Sequence, residues 1–161
     1  MIYLDANVVI ASVSNMPGAS EHVARLLRTP KVLYVSRLAD YEARKFLARQ
    51  ANPAAEENLN FLLTEKFSHG KEWEAAIMQA LKISQQFKQR LWVDSADTLH
   101  VGWALSVGAE GFASFDRDSG PRALAMAVGF NLRKILRKIF LRLLARWLEA
   151  QKIFVHHTCR A

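Results

Sequence analysis

Two short apolar runs, one at the start of the chain and one near residue 115, each end in an aspartate. Residues 1–4 lead into Asp5, and residues 111–115 lead into Asp116. Continuous apolar runs of this length are typical of buried parallel strands. Ligands of open α/β folds bind outside the carboxyl ends of such strands. The two carboxylates are therefore predicted to face one crevice.

Helical and extended patterns alternate along the first 130 residues, which predicts an α/β fold with a parallel sheet. Ser36 and Asp94 are predicted to cap the helices that follow them, and the segment 68–70 is predicted to be a break between two helices. The predicted strands cover residues 2–4, 32–35 and 111–116, and the predicted helices cover residues 6–13, 20–27, 37–49, 56–67, 72–89, 94–107 and 121–128.

Glu42 lies within the apolar stripe of the third predicted helix. Leu38, Glu42 and Phe46 are four residues apart, so they share one face. An unpaired ionised carboxylate is costly in such a position, and a metal ion is one counter-charge that would stabilise it. The alternative is a glutamate at the edge of the stripe that reaches solvent or pairs with Lys45.

Asp97 is predicted to point inward from the first turn of its helix, on the same face as Val101 and Leu105. The alternative is a helix-terminal acid, because Asp94 and Asp97 are spaced like a capping box and carboxylates are favoured at that end of the helix dipole. His100 is interpreted as a packed core histidine.

The four acids together predict one acidic pocket. Like charges about 4 Å apart repel by several kcal/mol at an effective dielectric constant near 20, and a divalent cation removes that conflict. Ligation by oxygen alone selects Mg²⁺ or Mn²⁺. Such a site serves attack of water on a phosphodiester. The predicted catalytic and metal-binding residues are Asp5, Glu42, Asp97 and Asp116.

Four segments of the chain resemble the motifs of the PIN domain, and more narrowly those of the VapC-type toxins of bacterial toxin–antitoxin pairs. They are residues 3–7 (YLDAN), 35–42 (VSRLADYE), 95–100 (SADTLH) and 114–118 (SFDRD), and they occur in the family's order. The likeness covers about residues 1–130, which we predict to be a PIN-like nuclease domain.

The resemblance implies a three-layer α/β/α fold with a central parallel sheet, and Mg²⁺- or Mn²⁺-dependent cleavage of single-stranded RNA. It also implies a homodimer that is silenced by a small antitoxin protein. Asp5, Glu42, Asp97 and Asp116 match the family's acidic quartet. Asn7 and Ser114 match its supporting polar residues. Asp118 matches a supporting acid found in only some members, and by its position it is either an outer metal ligand or a turn residue. The residues expected to contact RNA are Arg44, Lys45, Arg49 and Arg117.

Residues 131–161 depart from the family pattern and carry the whole charge imbalance of the chain. They hold eight Lys and Arg against Glu149 alone, whereas the preceding 130 residues balance, and the net charge is +7. Apolar residues recur from Leu132 to Leu148 at helical spacing, which predicts a basic amphipathic helix as a second segment. Three roles remain open: packing on the domain or across a dimer, RNA binding, and attachment to a membrane surface.

Two other classes of protein compete with the nuclease. A non-catalytic RNA-binding module would keep the acids as a structural metal site. A phosphoacceptor receiver domain is a poorer match, because it has an adjacent acid pair after its first strand whereas Ala6 follows Asp5 here. The single cysteine excludes an internal disulfide, and we find neither a signal peptide nor a membrane span, so we expect a cytoplasmic protein.

Overall fold

The computed structural model describes residues 1–14, 19–70, 72–87, 93–116 and 120–130. The predicted basic helix of residues 131–161, together with Arg117 and Asp118, lies outside these residues. The helices are α1 (Ala6–Val13), α2 (Ser20–Leu27), α3 (Arg37–Arg49), α4 (Pro53–Glu65), α5 (Trp73–Phe87), α6 (Ser95–Ser106) and α7 (Pro121–Ala127). No helix among the described residues is both long enough and apolar enough to cross a bilayer.

Within the described ranges the sheet has four parallel strands in the order β3-β2-β1-β4, which confirms the predicted parallel architecture. They are β1 (Ile2–Leu4), β2 (Leu33–Ser36), β3 (Phe67–Gly70) and β4 (Gly111–Ala113). The two strands that lead into Asp5 and Asp116 are direct neighbours. The carboxyl ends of β1 and β4 therefore meet at one edge of the sheet.

The prediction that residues 68–70 are a break between helices is wrong. Phe67–Gly70 forms β3, an edge strand that pairs with β2. Ser68 and His69 are exposed, and only Phe67 of the four is buried. An edge strand with polar, exposed residues carries no alternating hydrophobic pattern, so its sequence resembles a loop.

Helices cover both faces of the sheet, which gives the predicted three layers. Alternate strand residues point to opposite sides: Leu4 and Val35 pack against α1, α3 and α4, whereas Tyr3 and Phe112 pack against α5, α6 and α7. The rings of Tyr3 and Phe112 stack with centroids 5.3 Å apart. Two apolar cores thus fix the sheet between its helical layers and hold the strand ends in place.

Polar residues immediately before α1, α3 and α6 cap the N-termini of these helices. Asp5 is the N-cap of α1, and Ser36 is the N-cap of α3, where its hydroxyl accepts a hydrogen bond from the Ala39 amide. Asp94 caps α6 by accepting a hydrogen bond from the Asp97 amide, as predicted. These caps satisfy backbone donors that helix starts leave free. The caps of α1 and α3 lie where these two helices follow the carboxyl ends of β1 and β2.

Candidate active site

Asp5 is the buried centre of a hydrogen-bond network at the end of β1. Its Oδ1 accepts a 2.7 Å hydrogen bond from the Ala6 amide. Its Oδ2 accepts hydrogen bonds of 3.0 Å from Asn7 Nδ2 and 2.6 Å from Ser114 Oγ. Burial raises the pKa of Asp5, and the neighbouring Asp116 adds to the rise, whereas His100 and the Ser114 hydroxyl lower it. The donors therefore offset only part of the cost of burying this carboxylate.

Asn7 and Ser114 join the segment after β1 to the segment after β4. Asn7 Oδ1 accepts from the Phe115 amide at 3.0 Å, and Ser114 Oγ accepts from the Asp116 amide at 3.0 Å. Asn7 Nδ2 also donates to Ser114 Oγ at 3.1 Å. The two predicted supporting residues thus fix the backbone that presents Asp5 and Asp116.

Asp97 and Asp116 approach each other beside the start of α7. A Cβ atom placed on Gly120 would lie 3.6 Å from Asp97 Oδ2 and 3.5 Å from Asp116 Cβ. Burial raises the pKa of Asp97 to about 7, and the charges of Asp94, Asp5 and Asp116 contribute to the increase. Asp97 is therefore both a residue of the helix terminus and a member of the acidic group, so the two alternatives that its sequence position left open are compatible.

Glu42 is held by His100 and not by Lys45. His100 Nε2 lies 2.8 Å from Glu42 Oε2 and 3.6 Å from Asp5 Oδ1. The amine of Lys45 lies over the Tyr41 ring, 5.9 Å from its centroid. The Glu42 side chain is 31% exposed, so it reaches solvent, whereas Asp5 is buried.

His100 is buried as predicted, but it is also part of the acidic site, which the sequence interpretation missed. Its Nδ1 lies 2.7 Å from the Tyr3 hydroxyl. Burial alone would lower the pKa of His100, but the hydrogen bond with Glu42 and the charges of Asp5, Glu42 and Asp97 raise it. His100 follows Asp97 by three residues on α6, a spacing that places both side chains on one face of a helix. That spacing was the signal available in the sequence.

The residues at this edge of the sheet fit a divalent cation. Asp5, Glu42 and His100 each offer an atom that could bind a metal, and these atoms lie within 4.8 Å of one another. The raised pKa values of Asp5 and Asp97 reflect buried negative charge that the protein does not fully compensate. Carboxylate oxygens are ligands suited to hard divalent ions. The donor set is therefore compatible with a metal site.

The predicted RNA-binding residues of α3 lie on its exposed surface. The Arg44 guanidinium bonds Asp40 Oδ1 and Asn60 Oδ1, both at 2.8 Å. Arg49 is exposed at the end of the helix. Arg44 thus has protein partners that RNA would have to replace, whereas Arg117, which follows Asp116, lies outside the described residues.

The fold and the site define a class of protein: a three-layer α/β/α domain with acidic residues at the carboxyl ends of adjacent parallel strands. A family model described as the PIN domain matches residues 2–123. The chain belongs to the PIN domain family. No curated protein sequence matches the chain significantly.

Two solved structures share the fold at low sequence identity. One is VapC20 of Mycobacterium tuberculosis, a sarcin-ricin loop cleaving toxin: it is 17% identical, has a TM-score of 0.59, and the alignment covers 81% of this chain and 97% of that chain. The other is FitAcB from Neisseria gonorrhoeae: it is 18% identical, has a TM-score of 0.61, and the alignment covers 84% of this chain and 99% of that chain.

Proposed function

We propose that the protein is a Mg²⁺- or Mn²⁺-dependent endoribonuclease that cleaves single-stranded RNA. The observation that carries this proposal is an acidic group at the carboxyl ends of the strands. Asp5 and Glu42, with His100, offer ligand atoms within 4.8 Å of one another. Burial and the charge of Asp116 raise the pKa of Asp5, and burial and the charges of Asp94, Asp5 and Asp116 raise that of Asp97. An acidic group of this kind suits metal-assisted hydrolysis of a phosphodiester. Membership of the PIN domain family supports the same chemistry.

Three aspartates would hold the ion, and Glu42 would act on water. Asp5, Asp97 and Asp116 are the proposed metal ligands. The bound ion would supply stabilisation of the negative charge that develops on the phosphate. Glu42 orients the attacking water and accepts its proton, a role that its partial exposure allows. Asn7 and Ser114 keep Asp5 and Asp116 in place through the hydrogen bonds between β1 and β4.

The biological setting that we propose is that of a toxin with a small antitoxin partner, in the cytoplasm and as a homodimer. VapC20, which shares the fold, is a toxin that cleaves the sarcin-ricin loop. We propose RNA as the substrate class of this chain, with Arg44, Lys45, Arg49 and Arg117 as phosphate contacts at the rim. Asp118 is proposed as an additional acid near the ion, and residues 131–161 as a separate basic segment.

Cleavage of RNA by the purified chain tests the proposal. Single-stranded RNA should be cut in the presence of Mn²⁺ or Mg²⁺ and left intact with a chelator. Asp5→Asn and Asp97→Asn should abolish cleavage while circular dichroism and the melting temperature report a folded protein. Glu21→Gln is the matched control, because it removes an exposed acid that pairs with Arg25 and should leave the rate unchanged.

The possible outcomes separate the nuclease from its main rival. Full activity in a folded Asp5→Asn variant would contradict the proposed site. If RNA is bound but not cut in the presence of Mn²⁺, the chain is a non-catalytic RNA-binding module in which the acids serve a structural metal site. Transfer of a phosphoryl group to an aspartate would instead indicate a receiver domain.

A further inference from the structure

We infer that His100 is a positioning residue for Glu42 and not a ligand of the metal ion, and that two buried hydroxyls fix its orientation. Its position within the acidic group would allow either role. The inference rests on the proposed function, in which Glu42 acts on water. It assigns His100 Nδ1 and the hydroxyls of Tyr3 and Ser36 a part in holding the Glu42 carboxylate.

A chain of hydrogen bonds runs from the start of α3 through β1 to α6 and returns to α3. The Ala39 amide donates to Ser36 Oγ at 3.1 Å, and Ser36 Oγ lies 2.6 Å from the Tyr3 hydroxyl. That hydroxyl lies 2.7 Å from His100 Nδ1, and His100 Nε2 lies 2.8 Å from Glu42 Oε2. Tyr3, Ser36 and His100 are at most 1% exposed, so water does not compete for the hydrogen bonds between these three residues.

The hydrogens available to this chain place one on His100 Nε2. An ionised carboxylate only accepts hydrogen bonds, so the short contact with Glu42 requires an N–H on the histidine side. Nδ1 then either accepts from Tyr3, which itself accepts from Ser36, or donates to Tyr3, which donates to Ser36. Both arrangements leave the hydrogen on Nε2 directed at Glu42.

A nitrogen that carries a hydrogen has no lone pair for a metal ion. For His100 to bind the ion, Nε2 would have to lose its hydrogen. The hydrogen bond with Glu42 Oε2 would then be lost, and both atoms would face the ion. Mg²⁺ selects oxygen ligands over imidazole, so carboxylates are the preferred source of its protein ligands. The favoured arrangement therefore keeps the ion on oxygens and leaves His100 to hold Glu42.

The hydrogen bond from His100 holds the Glu42 side chain in one conformation. The Glu42 side chain is 31% exposed, and a side chain of this length has several rotamers open to solvent. His100 fixes one oxygen while the exposed part of the carboxylate remains accessible to water. Because a small misplacement of a catalytic group has a large effect on rate, the buried chain of hydrogen bonds should affect turnover more than binding.

The histidine nitrogen signals distinguish the two roles without any measurement of activity. In protein labelled with ¹⁵N, the Nε2–H signal of His100 should persist when Mg²⁺ is added to saturation. Mn²⁺ should give no ¹⁴N modulation from His100 in electron spin echo experiments. Loss of the Nε2–H signal on adding Mg²⁺, or a ¹⁴N modulation that disappears in His100→Gln, would overturn the inference.

Removal of single hydroxyls tests the chain of hydrogen bonds itself. Tyr3→Phe should lower kcat by about tenfold or more, with KM and the Mn²⁺ dissociation constant within about twofold of the unmodified protein. Tyr34→Phe is the matched control: it is the residue opposite Tyr3 on β2, and its hydroxyl bonds Glu72 and Trp103 instead. It should leave kcat unchanged.

Substitutions of His100 provide a second test of its role. His100→Gln offers a side-chain N–H to Glu42 and should retain more activity than His100→Ala. If His100→Gln weakens Mn²⁺ binding as much as Asp5→Asn does, His100 is a ligand and the inference fails. If the unmodified protein does not cut RNA but keeps its Nε2–H signal with Mg²⁺, the proposed nuclease fails while the assignment of the hydrogen stands.

Discussion

The Ser114 hydroxyl donates a 2.6 Å hydrogen bond to Asp5 Oδ2 across 109 positions of sequence. Ser114 Oγ also accepts hydrogen bonds from Asn7 Nδ2 and from the Asp116 amide. One small hydroxyl therefore links the ends of β1 and β4 and contacts two of the four acids. A neutral hydroxyl suits this position between carboxylates, because it can both donate to Asp5 and accept from the Asp116 amide.

Loss of this hydroxyl should destabilise the fold. Ser114→Ala leaves the Asp116 amide without its acceptor and removes a donor from Asp5, and buried polar groups left unpaired cost about 1–3 kcal/mol. Urea denaturation should report that decrease in the free energy of unfolding, whereas Ser114→Thr, which keeps the hydroxyl, should lose less. Ser106→Ala is the control, because the Ser106 hydroxyl donates to the Trp103 carbonyl within its own helix. An equal loss in both alanine variants would contradict the assignment.

Stabilisation by Mg²⁺ should increase with pH, because Asp97 titrates near neutrality. Its pKa is about 7 in the folded chain, against an ordinary value of 3.8 for aspartate. A raised pKa means that the folded state binds the proton more tightly, so this contribution to stability is present below about pH 4 and is lost as the pH rises through 7. The proton competes with the ion for the same carboxylate. The rise in melting temperature on adding Mg²⁺ should therefore be larger near pH 8 than near pH 6.

The variant Asp97→Asn supplies the control for this pH dependence. It removes a partly buried charge that its neighbours repel, so the metal-free variant should melt at a higher temperature than the unmodified protein near pH 8. It should also lose the stabilisation by Mg²⁺ at every pH. Thermal denaturation with and without Mg²⁺ measures both effects. A variant that Mg²⁺ still stabilises to the same extent would show that Asp97 is not a ligand.

Close contact between α5 and α6 depends on a glycine. A Cβ atom on Gly102 would lie 2.6 Å from the Ala76 carbonyl oxygen and 2.7 Å from the Ala80 amide nitrogen. Because both neighbours are backbone atoms, Gly102→Ala should force the helices apart and lower the free energy of unfolding by about 3 kcal/mol. Gly108→Ala has free space but a φ of +64°, so it should cost only about 1 kcal/mol. Chemical denaturation of both variants provides the comparison, and equal losses would refute the packing argument.

The parts of the fold that the sequence predicted well are those with local physical signals. The bounds of α3 were predicted to the residue because Ser36 caps its start, and β1 was found because an apolar run ends at Asp5. β3 was missed because Ser68 and His69 are exposed and the strand is defined by its pairing with β2. A short polar segment has no sequence pattern that indicates its pairing with a distant strand.

The residues of the candidate site likewise differ in whether local sequence signals could predict their positions. Asp5 and Asp116 could be placed from strand ends, since parallel strands bring their carboxyl ends together. The spacing of His100 from Asp97 could place the two on one face of α6, but the contacts of His100 could not be predicted, because Tyr3 and Glu42 come from two other elements. A histidine among apolar residues of a helix is usually interpreted as a core residue, and His100 is indeed buried in the core. Only tertiary contacts reveal that its ring reaches the acids.

The basic segment after Phe130 should supply most of the attraction for RNA, because the preceding 130 residues have balanced charges. Replacement of Arg133, Lys134, Arg137 and Lys138 by Gln should weaken RNA binding and reduce its salt dependence, by about 0.7 in the log–log slope for each phosphate that the protein no longer neutralises. Fluorescence anisotropy with labelled single-stranded RNA at several salt concentrations measures both. Arg25→Gln, at an exposed ion pair, is the control. If these replacements leave the slope unchanged but abolish binding to anionic vesicles, the segment binds a membrane surface instead. If neither the slope nor vesicle binding changes, the segment packs on the domain or across a dimer.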